Sequence, residues 1–139
     1  MNVPRTPLLT VDCVVFSGES VLLITRRYPP FKGGLALPGG FVELEESVET
    51  ACARELEEET GLLIEEERLR LVGVYSWPGR DPRGHTVSIA FAVTFTHLPI
   101  LRASDDALEV GFYPLSRDLV LAFDHGEIIH DAVEICFKR

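Results

Sequence analysis

The chain has 139 residues, 46% of them hydrophobic and 25% charged, a length suited to one domain with one core and a composition too apolar for disorder. It holds no apolar run of about 18 residues and opens without a basic-then-apolar leader, so neither a membrane span nor a signal peptide is expected. The net charge of −9 is local: residues 40–67 carry eleven glutamates and a single base, Arg54, while the remainder has twelve bases against eleven acids. Nucleic acid is therefore not an expected partner, because a phosphate backbone needs a basic surface.

Taken in chain order, Leu8–Phe16 is β-branched and apolar, Ser17-Gly18-Glu19-Ser20 turns, and Val21–Ile24 runs back, which predicts a hairpin of buried strands. Residues 26–34 contain Pro29, Pro30, Gly33 and Gly34 and form a loop. A short strand over Leu35–Leu37 stops at Pro38-Gly39-Gly40. Ser47–Thr60 is a run of helix formers with Ser47 as N-cap and Gly61 as the stop. Strands follow over Leu69–Tyr75 and Thr86–Thr96, separated by the polar, proline-rich loop 76–84. An acidic loop at 103–108, a short strand over Val110–Tyr113 and a closing helix over Asp124–Phe137 complete the chain. Strands on both sides of a central helix predict an α/β fold, a mixed sheet between helices, as a single domain over residues 1–139. Cys13, Cys52 and Cys136 are odd in number and far apart. They read as small buried apolar residues of a reducing compartment, which points to the cytoplasm.

The central helix carries charge on the wrong side. On a wheel of about 100° per residue, Val48, Ala51, Cys52 and Leu56 share one face, Glu55 and Glu59 fall in the middle of it, and Glu58 lies beside them. Carboxylates there lose hydration and sit at the negative end of the helix dipole. Arg54 offsets one charge; a divalent cation with oxygen ligands can offset the rest. The wheel fits equally well a helix whose last turn projects into water. The preceding Leu37-Pro38-Gly39-Gly40 favours the metal, since two glycines allow a sharp turn and close approach of a backbone carbonyl.

Gly40, five residues, Glu46, seven residues, then Arg54-Glu55-Leu56-Glu57-Glu58-Glu59-Thr60-Gly61-Leu62 resembles the Nudix box, G-x5-E-x7-R-E-U-x-E-E-x-G-U with U aliphatic, at every constrained position. The resemblance implies a Nudix-type α/β/α sandwich and hydrolysis of a nucleoside diphosphate linked to another moiety, with Mg²⁺ or Mn²⁺. It also implies metal ligation by Glu55, Glu58, Glu59 and the Gly39 carbonyl, with Arg54 orienting the glutamates and Glu46 pairing with Arg54. A general base comes from the box in some relatives, here Glu55, and from a later loop in others. Asp106 and Glu109 are favoured there, against the alternative of solvated or capping acids.

Substrate choice in the family lies outside the box. Pro78, sixteen residues beyond Leu62, the run Arg80-Asp81-Pro82-Arg83-Gly84-His85, and Phe123-Asp124-His125 are similar to the ADP-ribose pyrophosphatase branch. That implies cleavage of ADP-ribose to AMP and ribose 5-phosphate. Arg80 and Arg83 can grip phosphates, and Tyr75 or Trp77 can stack on adenine. Equally, Arg80 can pair with Asp81, Tyr75 can belong to the core, and His85 reads as a structural residue. Signatures similar to coenzyme A hydrolases and NADH pyrophosphatases are not found, and the chain is expected to lack the winged-helix domain of related regulators. The alternatives left are a nucleoside triphosphate-sanitising hydrolase, a hydrolase of another nucleotide sugar, a catalytically silent nucleotide-binding module, and an acidic interaction domain. A homodimer without membrane contact is the form that similar enzymes lead one to expect.

Overall fold

The computed structural model describes residues 2–102 and 107–138. Among them, seven strands form one mixed sheet: β1 (Leu8–Ser17), β2 (Ser20–Arg26), β3 (Leu35–Ala36), β4 (Gly39–Phe41), β5 (Arg70–Tyr75), β6 (Thr86–Phe95) and β7 (Ala107–Pro114). Two helices, α1 (Val48–Thr60) and α2 (His125–Phe137), cover its faces.

β1 organises the sheet. Its side chains alternate between faces, as those of any strand do, and because both faces are covered, both sets are apolar. Val11, Cys13 and Val15 join the core under α1, with Ala51, Cys52 and Leu56. Val14 and Phe16 join the core under α2, with Ile128, Ile129 and Ala132. The result is the expected α/β/α sandwich. Ser47 caps α1 by accepting the Thr50 N–H, and Gly61, at φ 75°, ends it with its own N–H on the Glu57 carbonyl.

One edge of β1 runs parallel to β6 from Leu8↔Thr86 to Ser17↔Phe95. The other edge is divided. Near the hairpin it pairs with β2, through Phe16↔Val21, and nearer its start with β4, through Asp12↔Gly39. β2 diverges from β1 after the hairpin, pairing with β3 on that side and with β7 on the other. The segment 35–41 therefore fills a split between β1 and β2, where the Cys13 N–H donates to the Pro38 carbonyl. The turn that carries Gly39 and Gly40 is thus fixed in the middle of the sheet.

Two sequence expectations are corrected. Gly39 and Gly40 do not simply break the chain, since they form β4 with Phe41. The reason is space: a Cβ on Gly39 would lie 2.1 Å from the Val11 carbonyl oxygen, so only glycine can pair there. β7 begins at Ala107 and includes Glu109, because its ladder with β2 extends past Val110. Cys13 and Cys52, distant in sequence, come together with Cα atoms 6.2 Å apart, because β1 and α1 pack on each other, and both are buried as expected. Among the described residues, no helix is long and apolar enough to cross a membrane.

Candidate active site

The second half of α1 delivers the carboxylates, and Arg54 gathers them. Its Nε and Nη2 donate to both Glu46 oxygens (2.7 and 2.9 Å). Its Nη1 donates to Glu55 (2.9 Å) and Glu58 (3.2 Å), and Nη2 also reaches the Phe41 carbonyl at 3.1 Å. The planar, multiply donating guanidinium suits this task. Hydrogen bonds from Arg54, then from the Glu43 N–H, hold Glu46 down at about 2.

Glu59 lies deeper, only 8% exposed. The Gly39 N–H donates to its Oε1 at 2.8 Å. Even so, burial and then the nearby charge of Glu55 push this carboxyl up to about 9. Glu55 is also raised, by burial, against the pull of Arg54. Each carboxyl thus perturbs the titration of the other. On the side of the turn the packing is close: a Cβ on Gly40 would fall 2.6 Å from a Glu55 oxygen. Both glycines of the turn are thus required by the carboxylates and the strand behind them.

This cluster fits a hard divalent cation. Glu55, Glu58 and Glu59 offer only oxygen donors, and no basic residue occupies the last turn of α1 to balance them. Among the described residues no three carboxylates converge on a single point, because Arg54 Nη1 stands between Glu55 and Glu58. Gly39 directs its N–H to Glu59.

Beside Glu59 opens a pocket walled by Asp12, Arg26, Phe41, Arg83, Phe123 and His125. The two candidate arginines behave differently. Arg80 is buried, with Nε and Nη2 on both oxygens of Asp124 (2.8 and 2.7 Å) and Nη1 on Thr86 at 3.1 Å. Arg83 is half exposed. It pairs with Asp81 at 3.1 and 2.9 Å, and its guanidinium lies near the Phe41 and Phe123 rings. Burial would raise Asp81, but the bonds from Arg83 hold it below the ordinary carboxylate range. Asp81 therefore pairs with Arg83 and not with Arg80.

The remaining sequence candidates lie elsewhere. Tyr75 turns to the other side and donates its hydroxyl to Asp131 at 2.7 Å, and Trp77 is exposed, its ring against Gly79. Neither lines the pocket beside Glu59; the aromatic rings there are Phe41 and Phe123. Glu109 is exposed on β7 opposite Thr25, and Asp106 lies outside the described residues. The His85 ring bonds the Ser76 carbonyl at 3.0 Å. Sequence reasoning missed Asp12, Arg26, Phe41, Phe123 and His125 as pocket residues. Asp12 left a signal, being the one charge in the apolar run LLTVDCVVF.

Known proteins resemble this chain in sequence and fold. A family model described as NUDIX domain matches residues 6–131. The ADP-ribose pyrophosphatase of Methanocaldococcus jannaschii is 49% identical over 125 residues, covering 90% of this chain and 72% of that protein. The ADPR responsive transcriptional repressor NtrR of Acinetobacter baylyi is 35% identical over 142 residues, covering 96% of this chain and 54% of the repressor. A cocrystal structure of the NUDIX domain of Shewanella oneidensis NrtR complexed with ADP ribose superposes with a TM-score of 0.86 at 30% identity, covering 94% of this chain and 89% of that one.

The protonated Glu59 sets a pH dependence for the metal-free protein. Its folded carboxyl keeps a proton up to about 9, whereas the unfolded one ionises around 4.5. The folded state binds more protons between those values, so stability falls as pH rises through that window. Urea unfolding in a chelator should show this fall, and Glu59→Gln should flatten it and be the more stable protein at the alkaline end. A profile that rises with pH in wild type would contradict the assignment.

Proposed function

The chain belongs to the Nudix family, and from that premise we propose that it is a divalent-metal-dependent pyrophosphohydrolase cleaving ADP-ribose to AMP and ribose 5-phosphate. The observation that carries this reading is the carboxylate set of α1: Glu55, Glu58 and Glu59 line one cleft with Arg26, and Glu59 also lines the adjoining pocket, where the half-exposed Arg83 stands with two aromatic rings. The 49% identity to an ADP-ribose pyrophosphatase over most of this chain supports the substrate.

Mg²⁺ or Mn²⁺, held by the three glutamates, would neutralise pyrophosphate oxygens and lower the pKa of the attacking water. The protein's own groups do the rest. Arg54 and Glu46 keep Glu55 and Glu58 aimed at one side of α1. Arg83 exchanges its bonds with Asp81 for charge-assisted bonds to phosphate. Phe41 and Phe123 present ring faces to the adenine. Glu55 is the general base we assign, from its place within the cluster, where Arg54 orients it. Glu109 lines neither the pocket beside Glu59 nor the cleft formed by Glu55, Glu58 and Glu59 with Arg26.

A second reading is a ligand sensor, favoured by the likeness to a transcriptional repressor. It requires no turnover, and it leaves the full set of acidic residues without a task. The acidity around the site also argues against nucleic acid as a partner of this chain.

A panel of ADP-ribose, ADP-glucose, NADH, diadenosine polyphosphates and 8-oxo-dGTP, incubated with Mg²⁺ and resolved by chromatography, tests the reading. Selective conversion of ADP-ribose to AMP is expected, with Glu58→Gln slower by about 10²-fold or more. Turnover of triphosphates alone would replace the substrate, and no turnover of any compound would favour the sensor. Arg83→Ala should raise KM for ADP-ribose more than it lowers kcat; an unchanged KM would remove Arg83 from the substrate.

A further inference from the structure

His125 begins α2, on the side of the sheet opposite α1, yet its ring reaches the turn that serves the carboxylates. The Leu37 N–H donates to His125 Nδ1 at 2.9 Å, in a buried setting. A ring nitrogen that accepts a hydrogen bond carries no proton, so the imidazole is held as the Nε2–H tautomer. That N–H faces Asp12 Oδ1 at 3.2 Å. Asp12 is in turn fixed by the Ser88 hydroxyl on its other oxygen and by Arg80 at 3.6 Å. The tautomer is thus defined from both ends.

From Leu37 the connection runs on without a gap. Leu37 and Pro38 lead directly to Gly39, whose N–H donates to Glu59, and to Gly40, whose Cα side abuts the Glu55 carboxylate. Asp12 also backs the same turn: a Cβ on Gly39 would lie 2.9 Å from Asp12 Oδ1, and Asp12 is the strand partner of Gly39. We propose that His125 is a positioning residue for the carboxylate site, setting the Leu37–Gly40 turn by accepting the Leu37 N–H at Nδ1. The inference rests on the reading of Glu55 and Glu59 as metal ligands, and not on the identity of the substrate. It gives Phe123-Asp124-His125 a division of labour: a pocket wall, the clamp on Arg80, and the anchor of the turn.

The two nitrogens can be tested separately. In His125→Asn the amide oxygen stands where Nδ1 stood and can still accept the Leu37 N–H. In His125→Gln the amide reaches the Nε2 position and can still donate to Asp12, but leaves Leu37 without an acceptor. Three readouts apply to each variant: exchange of the Leu37 amide hydrogen in chelator, Mn²⁺ affinity without substrate, and kcat and KM for ADP-ribose. His125→Asn should keep the Leu37 amide protected and Mn²⁺ affinity within about threefold of wild type. His125→Gln should lose that protection, bind Mn²⁺ about tenfold more weakly or worse, and lower kcat with little change in KM. Equal effects of the two variants on Mn²⁺ affinity, or none in either, would overturn the proposal, and so would a Leu37 amide that stays protected in His125→Gln. If wild type fails to cleave ADP-ribose, the substrate assignment falls while the exchange and Mn²⁺ measurements still decide the role of His125.

Discussion

Three carboxylates crowded on one side of a helix, in its last turns, form the constraint to which the rest of this molecule is fitted. Helix geometry places Glu55, Glu58 and Glu59 together, and the C-terminal dipole adds to their repulsion. Left alone, such a group would unwind the turn or pull α1 away from the sheet. The structure answers with one guanidinium, one backbone N–H and a raised pair of carboxyls. Arg54 spans Glu46, Glu55 and Glu58, Gly39 supports Glu59, and burial raises both Glu55 and Glu59, which favours their neutral forms. All three compensations are weaker than a divalent cation, which is why the arrangement reads as a site and not as a surface.

The sheet supplies the other half of the construction. Because β1 and β2 part after their hairpin, a short segment can enter between them and end in two glycines against α1. The alternation of β1 then assigns opposite tasks to adjacent residues. Val11 and Cys13 pack under α1, while Asp12, between them, points to the α2 side and joins Ser88, Arg80 and His125. The turn is gripped from both faces, by Glu59 of α1 and by His125 of α2. A buried polar network of this kind is tolerable only when each member is satisfied. For Asp12, burial alone would raise the carboxyl, and the bonds from His125 and Ser88 with the charge of Arg80 keep it below the ordinary range.

Much of this was legible in the sequence because it is local. The helix, its caps and the misplaced glutamates follow from a single 3.6-residue period between Ser47 and Gly61, and the alternating strands from a period of two. What escaped is what depends on distant pairing. β4 was hidden because glycines signal a break, and only the nearness of the Val11 carbonyl shows why they are needed in a strand. Arg80 and Arg83 look equivalent in sequence. Their difference comes from Asp124, 44 residues away, which takes both arms of Arg80. Tyr75 and Trp77 are the aromatics nearest the arginine loop in sequence, whereas Phe41 and Phe123 reach the pocket from β4 and from the loop before α2.

The central claim is that α1 presents an unbalanced carboxylate cluster that a divalent cation completes. Thermal unfolding with increasing Mg²⁺, compared between wild type and Glu59→Gln, tests it most directly, since a ligand specific to the folded state raises its stability with concentration. The account predicts a midpoint that climbs steadily with Mg²⁺ in wild type and barely moves in the variant. Equal shifts in the two proteins, or no shift in wild type, would contradict it.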